Sequence, residues 1–320
     1  MLDFILLIAG FLLLIYGANL LVDSASSLAK RLNIPGIVIG LTIVAFGTSA
    51  PELAVNLFAS AQHNSEIVLG NVIGSNIFNV LVILGISSLF YPIGVKTNTT
   101  WIEIPLSFLA ALVVLMTASD SILNHDTVNQ ISRTEGITYL LFFIIFLVYN
   151  RQMMKTGHYE ENVPVKNYSV LKSVLLIITG LAMLLAGGKL IVKNAVDIAR
   201  MIGISERIIS ITILSIGTSL PELATSVAAA RKKNVDIAIG NIVGSNIFNI
   251  FLILGLSATI SPVTVPAGSF TDILVNLLAG LLLFVFIFTG KGRKIERWEG
   301  SIFLLLYLSY LIFIIVYPVY

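Results

Sequence analysis

The sequence predicts an all-α polytopic membrane protein of ten transmembrane helices, arranged as two inverted five-helix repeats. Composition, an internal repeat and the placement of lysine and arginine carry that prediction. Of 320 residues, 57% are hydrophobic and only 11% charged, where a soluble domain carries roughly 25% charged residues. Long apolar runs recur, as at residues 4–22, 171–185 and 302–317, of the length that crosses about 30 Å of hydrocarbon as helix.

The repeat is found by sliding the chain along itself by 170 residues, which places Gly17 on Gly187 and Gly47-Thr48-Ser49 on Gly217-Thr218-Ser219. Pro51-Glu52-Leu53-Ala54 falls on Pro221-Glu222-Leu223-Ala224, and GNVIGSNIFN (70–79) on GNIVGSNIFN (240–249). Eight of those last ten residues are identical and the other two are Val/Ile exchanges. Repeats at a fixed offset define the architecture before any single helix does.

The elements follow in order. Helices are expected near 3–28, 35–61, 66–89, 101–118 and 135–151, then 169–196, 205–230, 236–259, 271–289 and 298–317. The first follows Met-Leu-Asp with no basic stretch before it and no small-residue cleavage site after it, and so reads as a retained helix. The second is interrupted by GTSAPE and the third carries the 70–79 motif. The sixth holds Lys189 and Lys193, whose long stems are expected to snorkel toward the outer interface. The seventh and eighth repeat the two motifs. The domains are therefore a first repeat (1–151), a short cytoplasmic loop (152–168) and a second repeat (169–320).

Five helices per half is an odd number, so the second half enters the membrane upside down. The positive-inside bias tests this independently. With the N-terminus outside, the inner loops hold fourteen Lys and Arg, including Lys30, Lys96, Lys166, Lys232 and Lys291. The outer loops hold only Arg133, Arg200 and Arg207. Both termini are expected to be extracellular, and the basic runs are topology signals, with no nucleic-acid partner implied. Inverted repeats are the architecture of alternating-access transporters, with the site at the midplane.

The two motifs supply the chemistry. Pro51 has no N–H, so the Gly47 carbonyl loses its helical partner, and Pro221 does the same to Gly217. A bare carbonyl in hydrocarbon must line a protein cavity, and it is a good ligand for a hard cation. Thr48, Ser49, Thr218 and Ser219 add hydroxyls, while Glu52 and Glu222 open the next half-helix, where the helix dipole favours a carboxylate. An acid at the bilayer centre costs roughly 2.5–3.5 kcal/mol, and no Lys or Arg is placed at that depth to neutralise the pair. Asp23, Glu103, Asp197 and Asp272 fall nearer helix ends, within reach of water.

The second motif has Gly70-x-x-x-Gly74 and Gly240-x-x-x-Gly244, spacings that let helices approach closely. Packing does not account for Asn71, Ser75 and Asn79, spaced by four along one stripe, or for Asn241, Ser245 and Asn249. Asn76 and Asn246 lie one residue round and are placed to tie helices together. Such oxygen-rich acidic sites suit Ca2+ and Na+. The chain has no cysteine, and His63, His125 and His158 fall in loops without ligand spacing, so no cofactor and no thiolate metal site is expected. No protease or zinc arrangement stands at mid-depth, which argues against an intramembrane enzyme.

GTSAPE/GTSLPE together with GNVIGSNIFN/GNIVGSNIFN resembles the calcium/cation antiporter superfamily, specifically its prokaryotic sodium/calcium exchanger branch. The resemblance covers the chain essentially end to end. It implies Ca2+ binding by Glu52 and Glu222 with the carbonyls of Thr48 and Thr218. It implies Na+ binding by the same acids with Ser49, Ser75 and the Ala45 carbonyl on one side. On the other side stand Ser219, Ser245 and the Ser215 carbonyl, with Asn79 and Asn249 completing the centre. It further implies a prokaryotic plasma-membrane exchanger whose first and sixth helices slide as a gate, with no obligatory protein partner.

Some family members carry Asp at one of the two central positions, whereas Asn79 and Asn249 are both amides here. At most two side-chain negative charges are then present, consistent with exchange that needs no K+. A Ca2+/H+ antiporter is the alternative, with H+ as coupling ion, and a cation channel the more distant one.

Overall fold

The computed structural model describes residues 2–123, 128–159, 165–201, 215–266, 268–290 and 292–316. It is helical almost throughout. Among the described residues eight helices are long and apolar enough to cross a membrane, and a bent pair supplies a ninth span. The chain is an integral membrane protein. The first helix runs Leu2–Leu32. The second span is broken into Gly36–Thr48 and Ala50–Ala61, which meet at 49°. The third is Ser65–Phe90, the fourth Thr99–Thr117, the fifth Arg133–Thr156 and the sixth Val170–Met201.

Beyond residues 202–214, which lie outside the described residues together with the expected Arg207, the chain resumes with a short turn at Ser215–Gly217 and the helix Leu220–Arg231. The first part of the expected helix 205–230 is thus not described, nor are His125 and Lys291. The helix Val235–Ile260, called the eighth span because the expected helix 205–230 precedes it, is followed by Ser269–Phe286 and Arg297–Val316.

Local sequence explains the breaks and starts. Pro51 stands in the first turn of Ala50–Ala61 and Pro221 in that of Leu220–Arg231, where the missing N–H costs nothing. The preceding residues Ser49 and Ser219 take a non-helical ψ near zero, 8° and 7°. Ser132 caps the fifth helix in a reciprocal box with Glu135, which starts it two residues before the expected 135. Wide π-type turns interrupt the helices at Gly40–Val44, Asn79–Leu84 and Phe248–Leu254. Such turns loosen the i→i−4 ladder and are frequent at functional sites.

Packing sorts the spans into centre and rim. In the eighth span 94% of the most apolar window is buried, and 78% in the third, against 17% in the last helix, so the third and eighth form the centre. Gly40 and Gly240 let the second span cross the eighth in near contact: a Cβ on Gly240 would lie 3.0 Å from the Gly40 Cα. The packing role read for the glycines holds at Gly240 and Gly244. A Cβ on Gly70 or Gly74 meets nothing within 4 Å among the described residues.

The first and sixth helices form an antiparallel pair through Gly10 against Gly187 and Gly17 against Gly180. A Cβ at Gly17 would come within 2.9 Å of the Gly180 carbonyl. The only departures from helix among the described elements are two antiparallel clasps of two residues each, Ile93–Gly94 with Lys294–Ile295 and Gln130–Ile131 with Val263–Thr264.

Candidate functional site

Helix breaks on the second and seventh elements face the polar stripes of the third and eighth spans. Glu52 and Glu222 are both about 1% exposed. They are set into the centre because each sits in the first turn after a proline break, on the face turned toward the third and eighth spans.

The hydrogen bonds cross between the halves in matched pairs. Ser49 donates to Glu222 Oε1 at 2.8 Å and lies 3.0 Å from Ser245 Oγ. Ser219 donates to Glu52 Oε1 at 2.9 Å and lies 3.0 Å from Ser75 Oγ. Thr48 Oγ1 stands 3.0 Å from Asn241 Oδ1, and Thr218 Oγ1 3.2 Å from Asn71 Oδ1. Each contact has its counterpart 170 residues away. The serines thus bond in crossed pairs, Ser49 with Ser245 and Ser219 with Ser75, each across the two halves.

The asparagines divide their work. Asn71 Nδ2 donates to the Glu52 carbonyl at 3.4 Å and to Asn56 Oδ1 at 3.3 Å. Asn241 Nδ2 donates to the Glu222 carbonyl at 3.4 Å and to Ser226 Oγ at 2.9 Å. Asn76 and Asn246 tie the third span to the eighth, as their position predicts: Asn76 donates to the Asn246 carbonyl at 3.3 Å. Asn79 donates to Asn246 Oδ1, and Asn249 to Asn76 Oδ1, both at 2.9 Å. With their N–H groups spent this way, the side-chain oxygens of Asn79 and Asn249 point elsewhere.

Four buried oxygens of the predicted site residues have no hydrogen-bond donor among the described residues: Glu52 Oε2, Glu222 Oε2, Asn79 Oδ1 and Asn249 Oδ1. All are pure acceptors. Buried acceptors without a donor are costly, and no Lys or Arg among the described residues reaches either glutamate. A small cation satisfies such a set directly. No group of three or more His, Cys, Asp or Glu side chains assembles among the described residues, and the acceptors gathered here are two carboxylates and neutral oxygens.

The Ala45 carbonyl, expected as a ligand, accepts the Ser49 N–H at 2.9 Å and the Thr48 hydroxyl at 3.3 Å. Its counterpart differs: Ser219 N–H turns to the Ile216 carbonyl at 3.1 Å, leaving the Ser215 carbonyl without that partner. The Ser215 side chain lies outside the described residues.

Sequence reasoning missed several residues. Asn56 and Ser226, both fully buried, hold Asn71 and Asn241 against the two glutamate backbones. The signal was present, because each lies four residues beyond its glutamate and hence on the same helix face. Glu103 was expected within reach of water, yet it is buried and bonded by the Tyr149 hydroxyl, with Oε2 unpaired. The loop histidines make ordinary contacts, His63 with Ser261 at 2.8 Å and His158 with Asn33 at 3.1 Å.

A cavity of about 1170 Å³ reaches this site from one end. Its walls include Val55, Glu66, Asn71, Gly188 and Thr218. Lys189 and Lys193 line it as well, so these side chains border the cavity as opposed to simply reaching for an interface. At the opposite end the corresponding positions are closed by ion pairs. Asp236 takes Lys96 at 2.8 Å. Asp23 takes Lys232 at 2.6 Å and Lys166 at 2.9 Å, and the Asp23 carboxylate beside it holds the Lys166 ammonium above the usual lysine range.

Comparison with known proteins places this geometry. The chain matches the family described as sodium/calcium exchanger protein over residues 2–151 and 172–316. CaxA of Alkalimonas amylolytica is 39% identical over 316 residues, covering 96% of each chain. The sodium/calcium exchanger MaX1 of Methanosarcina acetivorans is 34% identical, covering 97% of each. A structure of the sodium-calcium exchanger NCX_Mj, soaked with 10 mM Na+ and zero Ca2+, superposes with a TM-score of 0.82 at 34% identity over 97% of this chain and 98% of that one. The chain belongs to the sodium/calcium exchanger family.

Proposed function

We propose that this member of the sodium/calcium exchanger family is a secondary active antiporter that exchanges Na+ for Ca2+ by alternating access, electrogenically and without K+. The observation that carries the reading is the pair of buried glutamates. Each has one oxygen bonded by a serine of the other half and one oxygen left as a bare acceptor. Oxygen-only donor sets with two carboxylates suit hard cations of this class.

In this reading Glu52 and Glu222, with the carbonyls of Thr48 and Thr218, hold Ca2+. The same acids hold Na+ with Ser49, Ser75 and the Ala45 carbonyl, and with Ser219, Ser245 and the Ser215 carbonyl. Asn79 and Asn249 offer their free oxygens to the centre. One Ca2+ balances the two carboxylates, whereas three Na+ leave one positive charge. A cycle that moves one net charge gains roughly 2.3 kcal/mol per 100 mV of membrane potential. The neutral amides at 79 and 249 offer no extra acid for K+.

Residues 1–151 and 169–320 form inverted five-helix repeats joined by the loop 152–168, in a prokaryotic plasma membrane with both termini outside. The cavity lined by Lys189 then faces outward. The first and sixth helices, packed on each other through paired glycines, slide as one gate. Bound cations cancel the carboxylates and permit the movement, while an empty site remains too charged to cross, so exchange is obligatory.

The test is Ca2+ uptake into Na+-loaded proteoliposomes diluted into Na+-free, K+-free buffer, beside Glu52→Gln. Uptake that needs internal Na+ and is lost in the variant supports the reading. Uptake driven by internal acid and indifferent to Na+ moves the chain to Ca2+/H+ antiport, and flux with no trans ion makes it a channel.

A further inference from the structure

We propose that Lys189 and Lys193 form a valence filter on the approach to the cation site, slowing the arrival of divalent ions more than that of monovalent ones. This rests on reading the buried glutamates as a cation site. Both lysines lie on the sixth helix one turn apart and line the cavity of about 1170 Å³. Its floor is Asn71 and Thr218, bonded to each other at 3.2 Å, and Asn71 donates in turn to the Glu52 backbone. Neither ammonium is paired among the described residues. Glu66, on the first turn of the third span, also borders the cavity, so two positive charges and one negative line the route.

A lysine pair is an unexpected lining for a cation route, and its position makes it more so. The residues 170 positions earlier are Asn19 and Asp23, an amide and an acid. The positive charge therefore belongs to one end of the molecule and not to the repeat.

The physical consequence depends on ionic charge. A local potential that lowers the Na+ concentration by some factor lowers Ca2+ by the square of that factor. One lysine at a separation on the order of 10 Å in water slows Ca2+ arrival about fourfold without salt, and about twofold near physiological ionic strength. Competition at this mouth then tilts toward Na+, without any lysine touching the bound ion.

The experiment measures the association rate of Ca2+ with detergent-solubilised protein by stopped flow against a calcium dye. Wild type is compared with Lys189→Gln, Lys193→Gln, the double variant and Lys189→Glu. At low ionic strength each neutralisation is expected to raise the rate about twofold to fourfold. The double variant should rise by the product, and Lys189→Glu further than Lys189→Gln. All variants should converge on wild type as ionic strength rises.

Rates that ignore side-chain charge, or differences that persist in high salt, overturn the proposal. Differences that appear only after reconstitution in anionic lipid also overturn it and assign the lysines to headgroup anchoring. Because no trans ion is used, a wrong counter-ion in the exchange reading leaves these rates unaffected. Loss of Ca2+ binding in every variant and in wild type sinks the site itself.

Discussion

The centre and the ends of this molecule obey different rules. At the centre the side-chain contacts of the two glutamates and the two inner asparagines come in matched pairs: Ser49 bonds Glu222 as Ser219 bonds Glu52, at 2.8 and 2.9 Å. Asn79 bonds Asn246 as Asn249 bonds Asn76, both at 2.9 Å. At the ends the equivalence fails. Asp23 and Asp236 are held by Lys232, Lys166 and Lys96, while their counterparts Lys193 and Glu66 border an open cavity. Under the proposed function, a centre that treats both halves alike would bind a cation without preference for either side. The two ends differ in a few partly exposed ion pairs, and under the same proposal these would bias which side the site faces.

The largest expected effect falls on the centre. Glu52→Gln and Glu222→Gln each leave one carboxylate for a divalent ion, and each should lower Ca2+ uptake about a hundredfold or more, because affinity in such sites follows ligand charge. Similar losses from both support equivalence, and a much milder loss from one would break it. Ser49→Ala and Ser219→Ala come next. Each removes a hydroxyl bonded to a buried carboxylate, a contact worth about 1.5–3 kcal/mol, so transport should fall about tenfold to a hundredfold in both. A large difference between the two would mean that the crossed bonds do unequal work.

The ends should respond more weakly and in a different observable. Asp23→Asn or Lys232→Met removes a partly exposed ion pair, typically worth about 1 kcal/mol or less. The expected result is a shift of up to about fivefold in side accessibility, with little change in ion affinity. The chain has no cysteine, so single introduced cysteines report this cleanly. Val55 is 38% exposed and its counterpart Thr225 is fully buried. Val55→Cys should react quickly with a thiol reagent and Thr225→Cys slowly, and breaking the ion pair should speed the second and slow the first. Unchanged labelling would mean that the pairs are ornaments of the surface.

Much of the centre was readable from sequence because it is written within single helices. A proline fixes where a helix must break, and a spacing of four fixes which residues share a face. Glu52, Glu222, Asn71, Ser75 and Asn79 were all found in that way. What crosses between helices was not readable. Nothing in a linear spacing says that Ser49 reaches Glu222 in preference to its neighbour Glu52, since that depends on how two broken elements are set against each other.

Glu103 was misplaced for a related reason: its position near a helix end suggested water, but the Tyr149 hydroxyl of the fifth helix covers it. The cavity beside Lys189 and Lys193 was not legible, because its other walls come from the second and third spans and from the seventh element. Family membership, with a match over residues 2–151 and 172–316, agrees with the resemblance carried by the two motifs.

The most direct test of a shared symmetric centre is displacement of 45Ca2+ by Na+ from the solubilised protein at equilibrium. The account predicts competitive displacement by Na+ with a Hill coefficient above one, because more than one Na+ must replace a Ca2+ on the same two carboxylates. Ca2+ binding that Na+ leaves untouched, or that yields only to acid, would contradict it.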